Sequence, residues 1–287
     1  GSTVYSSSTR IQLWNGTQVA RGSLDIYHDG AGNKSFSASA EAGIYYVAVN
    51  CRGSGSWSLP SIPRQANITS APDFNDEANP TINYSNPAGN NVSSLQACIS
   101  LTGATDDIKY RDISKTGSSY TFNLTTAERN VLRNACTTSN SRKVQFFIKT
   151  VIGGSTFHSN IEKTLSIING NPTFTSSNIS YKDNNSVTTA VTENNQYLVQ
   201  NLSSLLVTIT PATALKGASI SKYEVTINGV KKTITSAGNI DYGVINSGSN
   251  LILSVKVIDS RGNSTTASKT VNFLPWSLPS ALITLKR

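Results

Sequence analysis

Residues 251–273 read LILSVKVIDSRGNSTTASKTVNF. Leu251, Leu253, Val255 and Val257 fall on one face of a strand, because side chains alternate with period two. Asp259-Ser260-Arg261-Gly262-Asn263 then supplies turn residues. On the way back Thr266, Ser268, Thr270 and Asn272 alternate with Ala267, Lys269, Val271 and Phe273. The pattern predicts a β-hairpin closed by a longer loop. Short alternating runs broken by Gly, Asn, Asp and Ser recur almost throughout the chain. They predict a mainly β protein built as stacked β-sandwiches, a kind of architecture that usually serves display and adhesion.

A chain of 287 residues is too long for one sandwich of about 100 residues and fits two or three. Charged residues make up 14%, against a typical value near ~25%. Solubility must then come mainly from Ser, Thr, Asn and Gly, as on extracellular or particle-borne β-proteins. The net charge is +8, from 24 Lys+Arg against 16 Asp+Glu, and a basic chain can attract polyanions. The cations are scattered, however, as at Arg10, Arg21, Lys34, Arg52, Arg64, Arg129, Arg133, Lys163 and Arg261. The closest groupings are the pairs Arg142-Lys143 and Lys231-Lys232. Solvated surface is the expectation for them, with no nucleic acid as partner.

Cys51, Cys98 and Cys136 are the three cysteines. An odd number at wide spacing is not a disulfide framework. Cys98 and Cys136 fall in one candidate domain and could pair, although buried free thiols are the favoured reading. No apolar stretch reaches the length of a membrane span, so no membrane insertion is expected, and no signal peptide is read. The chain has no Met, and it is read as an internal segment of a longer protein, with Gly1-Ser2 as a cloning remnant.

Trp57-Ser58-Leu59-Pro60-Ser61 recurs as Trp276-Ser277-Leu278-Pro279-Ser280. Pro ends regular pairing and stiffens a connector. Both copies are read as the last strand of a domain running into a linker. The first domain is then residues 1–63, β-sandwich-like and lacking strands that lie upstream. It has a tight turn at Asn15-Gly16, a turn at Asp29–Asn33 and an apolar run at Ile44–Val49.

The second domain is residues 64–170. Leu95, Ala97, Ile99 and Leu101 form one strand face, and Val144, Phe146 and Ile148 begin another. Thr125-Thr126-Ala127-Glu128 has capping-box spacing, and Val131, Leu132 and Ala135 follow at helical spacing, so one short helix is predicted at about 126–136. The third domain is residues 171–275, with faces at Leu205, Val207 and Ile209 and at Tyr223, Val225 and Ile227, and a turn at Asn228-Gly229. About seven strands without a helix is an immunoglobulin- or fibronectin-III-like count. Residues 276–287 are read as a linker to a further part. The predicted fold class is therefore mainly β: tandem immunoglobulin/fibronectin-III-like β-sandwiches, with one short helix in the middle domain.

Catalysis looks poorly provisioned. A nucleophilic triad needs a histidine beside a serine and a carboxylate, and the chain holds only His28 and His158. No Cys/His cluster has zinc spacing. Asp106-Asp107 and the group Asp73, Asp76 and Glu77 sit in polar, turn-like stretches and are expected to be solvated loop acids. Asp73-x-x-Asp76-Glu77 is also weighed as a calcium site, without matching an EF-hand. No catalytic residue, metal or cofactor is expected, and the chain is read as not an enzyme. Asn-x-Ser/Thr triplets are too frequent in such a composition to inform. If Ile11 and Leu13 face a core, as Leu24 and Ile26 would, then Trp14, Asp25 and Tyr27 face outward as a candidate saccharide platform. The same residues also fit a cross-strand pair or an inter-domain contact, and that structural reading is favoured.

The segment DGAGNK (Asp29–Lys34) followed by alternating Ser/Ala, and GSGSWSLPSIPR at 53–64, resemble a recurrent domain end in tail proteins of siphophages that infect Gram-positive bacteria. YTFNLTTAERNVLRNACTTSNSRKVQFFIKT (120–150), ASISKYEVTINGV (218–230) and VKVIDSRGNST (255–265) are similar to the same family, long of unassigned function. DGAGNK carries one residue more than the family's turn. The resemblance implies a virion component of the phage tail, at its tip, baseplate or fibre. Its implied partners are other tail proteins and bacterial cell-wall polysaccharide or teichoic acid, and it implies a homo-oligomer in the tail. The family supplies no binding residues to place on this chain. The alternatives are a bacterial surface adhesin with immunoglobulin-like repeats, or a non-catalytic accessory module of a carbohydrate-active enzyme.

Overall fold

The computed structural model describes residues 64–280 and, before them, the backbone of three strands: β1 (Ser7–Trp14), β2 (Gln18–Ile26) and β3 (Tyr46–Val49). β1 lies between the other two and pairs antiparallel with both. The turns expected at Asn15-Gly16 and Asp29–Asn33, and the first WSLPS copy, lie outside the described residues.

The chain forms two compact units. One takes the described chain up to Phe74, with Asn79–Leu124 and Lys143–Thr164; the other takes Asn75–Ala78, Thr125–Arg142 and the described chain from Leu165 on. The chain therefore passes from one unit to the other five times, at 74/75, 78/79, 124/125, 142/143 and 164/165.

The strands that follow β3 are β4 (Asn67–Ser70), β5 (Phe74–Asn75), β6 (Thr81–Ser85), β7 (Ser94–Ser100), β8 (Ile108–Asp112), β9 (Ser119–Thr121), β10 (Ser141–Ile152) and β11 (Ser155–Ser166). They make a three-stranded sheet, β4-β6-β9, and a five-stranded sheet, β5-β11-β10-β7-β8. Alternation drives the assembly: Ile82 and Tyr84 of β6, and Val144, Phe146 and Ile148 of β10, are all buried. Phe146 pairs with Ile99 of β7 and Ile148 with Ala97. Phe122, one residue past β9, meets the Phe146 ring at 5.7 Å, and Phe74 meets it from elsewhere at 5.5 Å. Tilted aromatic contacts of this kind add to the area they bury. β7 stops at Ser100, whose hydroxyl accepts the N–H groups of Thr102, Gly103 and Thr105. Leu101, expected on the strand face, instead starts that loop. The Gly153-Gly154 turn joins β10 to β11 with both residues at positive φ, 56° and 80°, the conformation of a tight hairpin.

Helix α1 (Thr126–Asn134) belongs to the second unit. Its start is written locally. The Thr125 hydroxyl accepts the Glu128 N–H at 3.3 Å, and the Glu128 carboxylate accepts the Thr125 N–H at 2.8 Å, so two donors that the helix itself leaves unpaired are satisfied. The helix is two residues shorter than predicted, and of its apolar positions Leu132 is buried while Val131 is 40% exposed.

The second unit holds its own sandwich. Its strands are β12 (Ile179–Asp183), β13 (Tyr197–Val199), β14 (Ser204–Ile209), β15 (Ile220–Ile227), β16 (Val230–Ile234), β17 (Asn239–Val244), β18 (Leu251–Asp259) and β19 (Ser264–Leu274), and it has a second helix, α2 (Ser186–Thr192). The sheets are β12-β14-β17 and β13-β19-β18-β15-β16, with β13 parallel to β19. The predicted faces meet in one core: Leu205, Val207 and Ile209, Tyr223, Val225 and Ile227, and Leu253, Val255 and Val257. Register agrees with this, since Val225 pairs with Val255 and Tyr223 with Val257. Asn228 and Gly229, at φ 49° and 73°, form the tight turn the sequence predicts. The final WSLPS copy, Trp276–Ser280, follows β19 without strand or helix, so it is not the last strand.

α2 corrects the expectation of a third domain without a helix. Asn185 caps it by accepting the Val187 N–H at 3.0 Å. It buries Thr188, whose hydroxyl donates to Asp183, and exposes Val187 and Val191. An apolar stripe facing the core is the usual signature of a helix, and here the polarity is reversed.

Candidate functional site

A dense network of buried charge lies inside the second unit, where α1 meets the segment 75–78 and two loops of the sandwich. Arg129 and Arg133 are four residues apart and so share one face of α1. Arg129 donates to the carbonyls of Asp76 and Ala78 at 2.8 and 3.0 Å. Arg133 Nε meets Asp76 Oδ2 at 2.6 Å, and Lys216 Nζ meets the same oxygen at 2.8 Å. Asp76 Oδ1 accepts the Ile168 N–H at 3.1 Å. The Asp76 side chain is wholly buried. Burial alone would raise its pKa; the contacts with Lys216, the Ile168 N–H and Arg133 outweigh that and hold it below the usual carboxylate range. Glu77, beside it, accepts from Lys216 at 2.5 Å and is likewise held low, by that bond first.

The second centre is Arg261, in the loop of the β18–β19 hairpin. Asp259 shapes the loop: its Oδ1 accepts the N–H groups of Arg261 and Asn263 at 2.9 and 2.8 Å. Gly262, at φ 88°, supplies the left-handed residue the turn requires. Arg261 then points inward and donates to four carbonyls, those of Arg133, Cys136, Leu215 and Lys216. Two of these lie at the C-terminal end of α1, where a cation is favourable; the Arg133 carbonyl also accepts the Cys136 N–H at 2.9 Å. Ser260 adds a bond to the Thr137 carbonyl at 2.6 Å, and the Asn140 and Asn263 amides bond to each other in both directions at 2.8 and 3.1 Å.

These contacts change several expectations. Arg261 is not a solvated cation but buried, and Asp76 is not a solvated loop acid. The calcium spacing is also overturned. Asp73 accepts the Thr164 N–H at 2.7 Å, while Asp76 is neutralised by Arg133 and Lys216. No group of three or more His, Cys, Asp and Glu among the described residues could hold a metal ion. Asp107 accepts from Leu101 N–H and the Thr105 hydroxyl, and Asp106 pairs with Lys109. His158 stands edge-on to Phe147; His28 lies outside the described residues. Of the basic pairs, Lys231 bonds Glu224 at 2.9 Å, and Lys232 lies 4.9 Å from the centre of the Tyr242 ring. Arg142 donates to the Ala135 carbonyl, and Lys143 stands 3.7 Å from Glu162. Cys98 and Cys136 are buried free thiols.

Of the candidate saccharide platform, Trp14 ends β1 opposite Gln18 and Tyr46, and Asp25 pairs with Ser8. Six residues of strand separate those two positions, roughly 20 Å, so the pairing does not bring Trp14 and Asp25 together. Tyr27 lies outside the described residues.

A sequence reading misses the Asp76–Arg133–Lys216 and Arg261 centres because their members are far apart in the chain. The one local clue was the four-residue spacing of Arg129 and Arg133 on a helix whose start was legible. The arrangement binds segments of the chain to one another through charge-assisted hydrogen bonds, which are among the stronger kind. Taken together, fold and centre define a tandem β-sandwich protein whose buried charges hold its own architecture in place.

The chain belongs to the family described as siphovirus protein of unknown function (DUF859), whose model matches residues 1–287. No curated protein matches it. Among solved structures it is similar to the fibronectin(III)-like modules of Clostridium thermocellum CbhA. Identity there is 14%, over 77% of this chain and 100% of that one, with a TM-score of 0.29. A two-domain fibronectin type III segment of chicken tenascin gives 12%, 73%, 98% and 0.32 for the same quantities. A Ca2+-stabilized adhesin with which an Antarctic bacterium binds ice gives 13%, 97%, 68% and 0.30. The fold is defined by the chain's own sheets.

Proposed function

We propose that this siphovirus protein is a structural component of the phage tail tip or fibre that contributes to attachment at the host surface. Its ligand is cell-wall polysaccharide or teichoic acid, and it breaks no bonds itself. Membership of a siphovirus family over the whole chain supports the setting. The observation that carries the reading is the anchoring of the second unit, where Asp76 and Arg261 bind α1, segment 75–78 and two sandwich loops into one body. A part that transmits load between a particle and a surface needs such internal ties more than it needs a deep pocket. Several copies on one tail raise avidity through linked weak sites.

The test is binding of the purified chain to isolated host cell walls, with released sugar measured in the same samples. Saturable binding to host walls, weaker binding to walls of a non-host strain and no sugar release are expected. Absence of binding to any wall would sink the attachment role. Sustained sugar release would sink the non-enzymatic one.

A further inference from the structure

We propose that Lys216 and Asn169 are the two halves of an intramolecular amide cross-link, with Glu77 as the carboxylate that moves the protons. One carboxylate holds both partners: Glu77 Oε1 lies 2.5 Å from Lys216 Nζ, and Glu77 Oε2 accepts from Asn169 Nδ2 at 3.3 Å. Lys216 Nζ also lies 2.5 Å from the carbonyl of Ile168, the residue before Asn169. The lysine side chain is only 12% exposed, so its amine is kept at this spot. Both partners sit in the left-handed backbone region, Lys216 at φ 53° and Asn169 at φ 51°. That conformation is uncommon for a lysine. Such an outlier points to function when the surrounding structure enforces it, and the Lys216 side chain meets the same carboxylate as Asn169.

The reaction balances without an oxidant or cofactor. The Lys216 ammonium gives one proton to Glu77. The freed amine attacks Cγ of Asn169, which the exposed asparagine side chain presents by rotation, and a new Cγ–Nζ bond forms. A second proton passes from Nζ to Nδ2, the Cγ–Nδ2 bond breaks, and ammonia leaves. Glu77 returns its proton to the ammonia, so ammonium departs and the carboxylate is restored. Positioning of amine, amide and acid–base group supplies the rate. Asp76 lies close to the amine as well, yet Arg133 holds it as a carboxylate, which an amine does not attack. Once Lys216 loses its charge, Asp76 keeps Arg133 at 2.6 Å and the Ile168 N–H at 3.1 Å, so no buried charge is stranded.

Intact-mass spectrometry of the full chain decides the matter. The expected mass is about 17 Da below that of the sequence, the loss of one ammonia. Trypsin should then release a branched peptide joining the stretches around residues 169 and 216. Asn169→Ala, Glu77→Gln and Lys216→Arg should each restore the full mass, and the last keeps a cation beside Asp76 so that folding is preserved. A wild-type chain that keeps its full mass after prolonged incubation in the folded state would overturn the proposal. A loss of about 18 Da with the branch at Asp76 would overturn the choice of Asn169. Neither result bears on wall binding, so this inference and the attachment role fail separately.

Discussion

Arg133 and Lys216 converge on one oxygen of Asp76, at 2.6 and 2.8 Å, and that oxygen belongs to a side chain with no solvent exposure. The two cations come from α1 and from the loop before β15, and the acid from the short segment between β5 and β6. The triad thus ties together three parts of the chain that no local interaction would assemble.

Replacing Asp76 with alanine should therefore destabilise the second unit by about 3 kcal/mol, because it leaves the largely buried Arg133 without its counter-charge, while Lys216 keeps Glu77. Denaturant unfolding followed by circular dichroism measures this. A change below about 0.5 kcal/mol, the scale of an ordinary surface substitution, would show that the triad is dispensable.

Acid should weaken the same centre. The carboxyls of Asp76 and Glu77 are held below their ordinary values in the folded chain. Their contribution is therefore fully present above the unfolded carboxylate range, near ~4. It is lost as pH falls through the lower folded values. Denaturant midpoints measured from pH 6 downward should stay level and then drop below about pH 4. Asp76→Asn should flatten part of that drop. An equally steep fall in the variant would place the acid sensitivity elsewhere.

Arg261→Ala should cost about 3 kcal/mol, since charged hydrogen bonds to several buried carbonyls are lost together. Arg261→Lys should recover little of it, because an ammonium cannot reproduce the planar fork that reaches carbonyls of α1 and of the 215–216 loop. Hydrogen exchange should report faster opening at the C-terminal end of α1 in both variants. Rescue by lysine would mean that charge alone matters there.

Burial pushes the Cys98 thiol up to about 11, against the opposing hydrogen bond with Tyr110. At pH 8 only on the order of one molecule in a thousand then carries the reactive thiolate. Alkylation of the folded chain followed by peptide mapping should leave Cys98 unmodified, and the same reagent in denaturant should label it fully. Rapid labelling in the folded state would contradict its burial.

The strands were legible wherever one face is buried. Leu253, Val255 and Val257 show it, as do Val144, Phe146 and Ile148, because the pleat converts a two-residue period directly into an inside and an outside. The start of α1 was legible because Thr125 and Glu128 satisfy backbone groups within one turn. α2 was not, since it buries the hydroxyl of Thr188 and presents Val187 and Val191 to solvent, and no period-based argument finds a helix of that polarity. Alternation alone turned Trp14 and Asp25 outward, and the register of β1 with β2 sets their positions roughly 20 Å apart along the strands.

What the amino-acid order settled unaided is everything decided within a few residues: which stretches pleat, where Asn228-Gly229 turns, how α1 begins. The fate of the charges was a tertiary matter. Asp76 finds Arg133 57 positions away, and Arg261 finds Cys136 125 positions away. Whether such a group ends in water or in a buried ion pair depends on dielectric surroundings and partners that exist only once the sheets have closed.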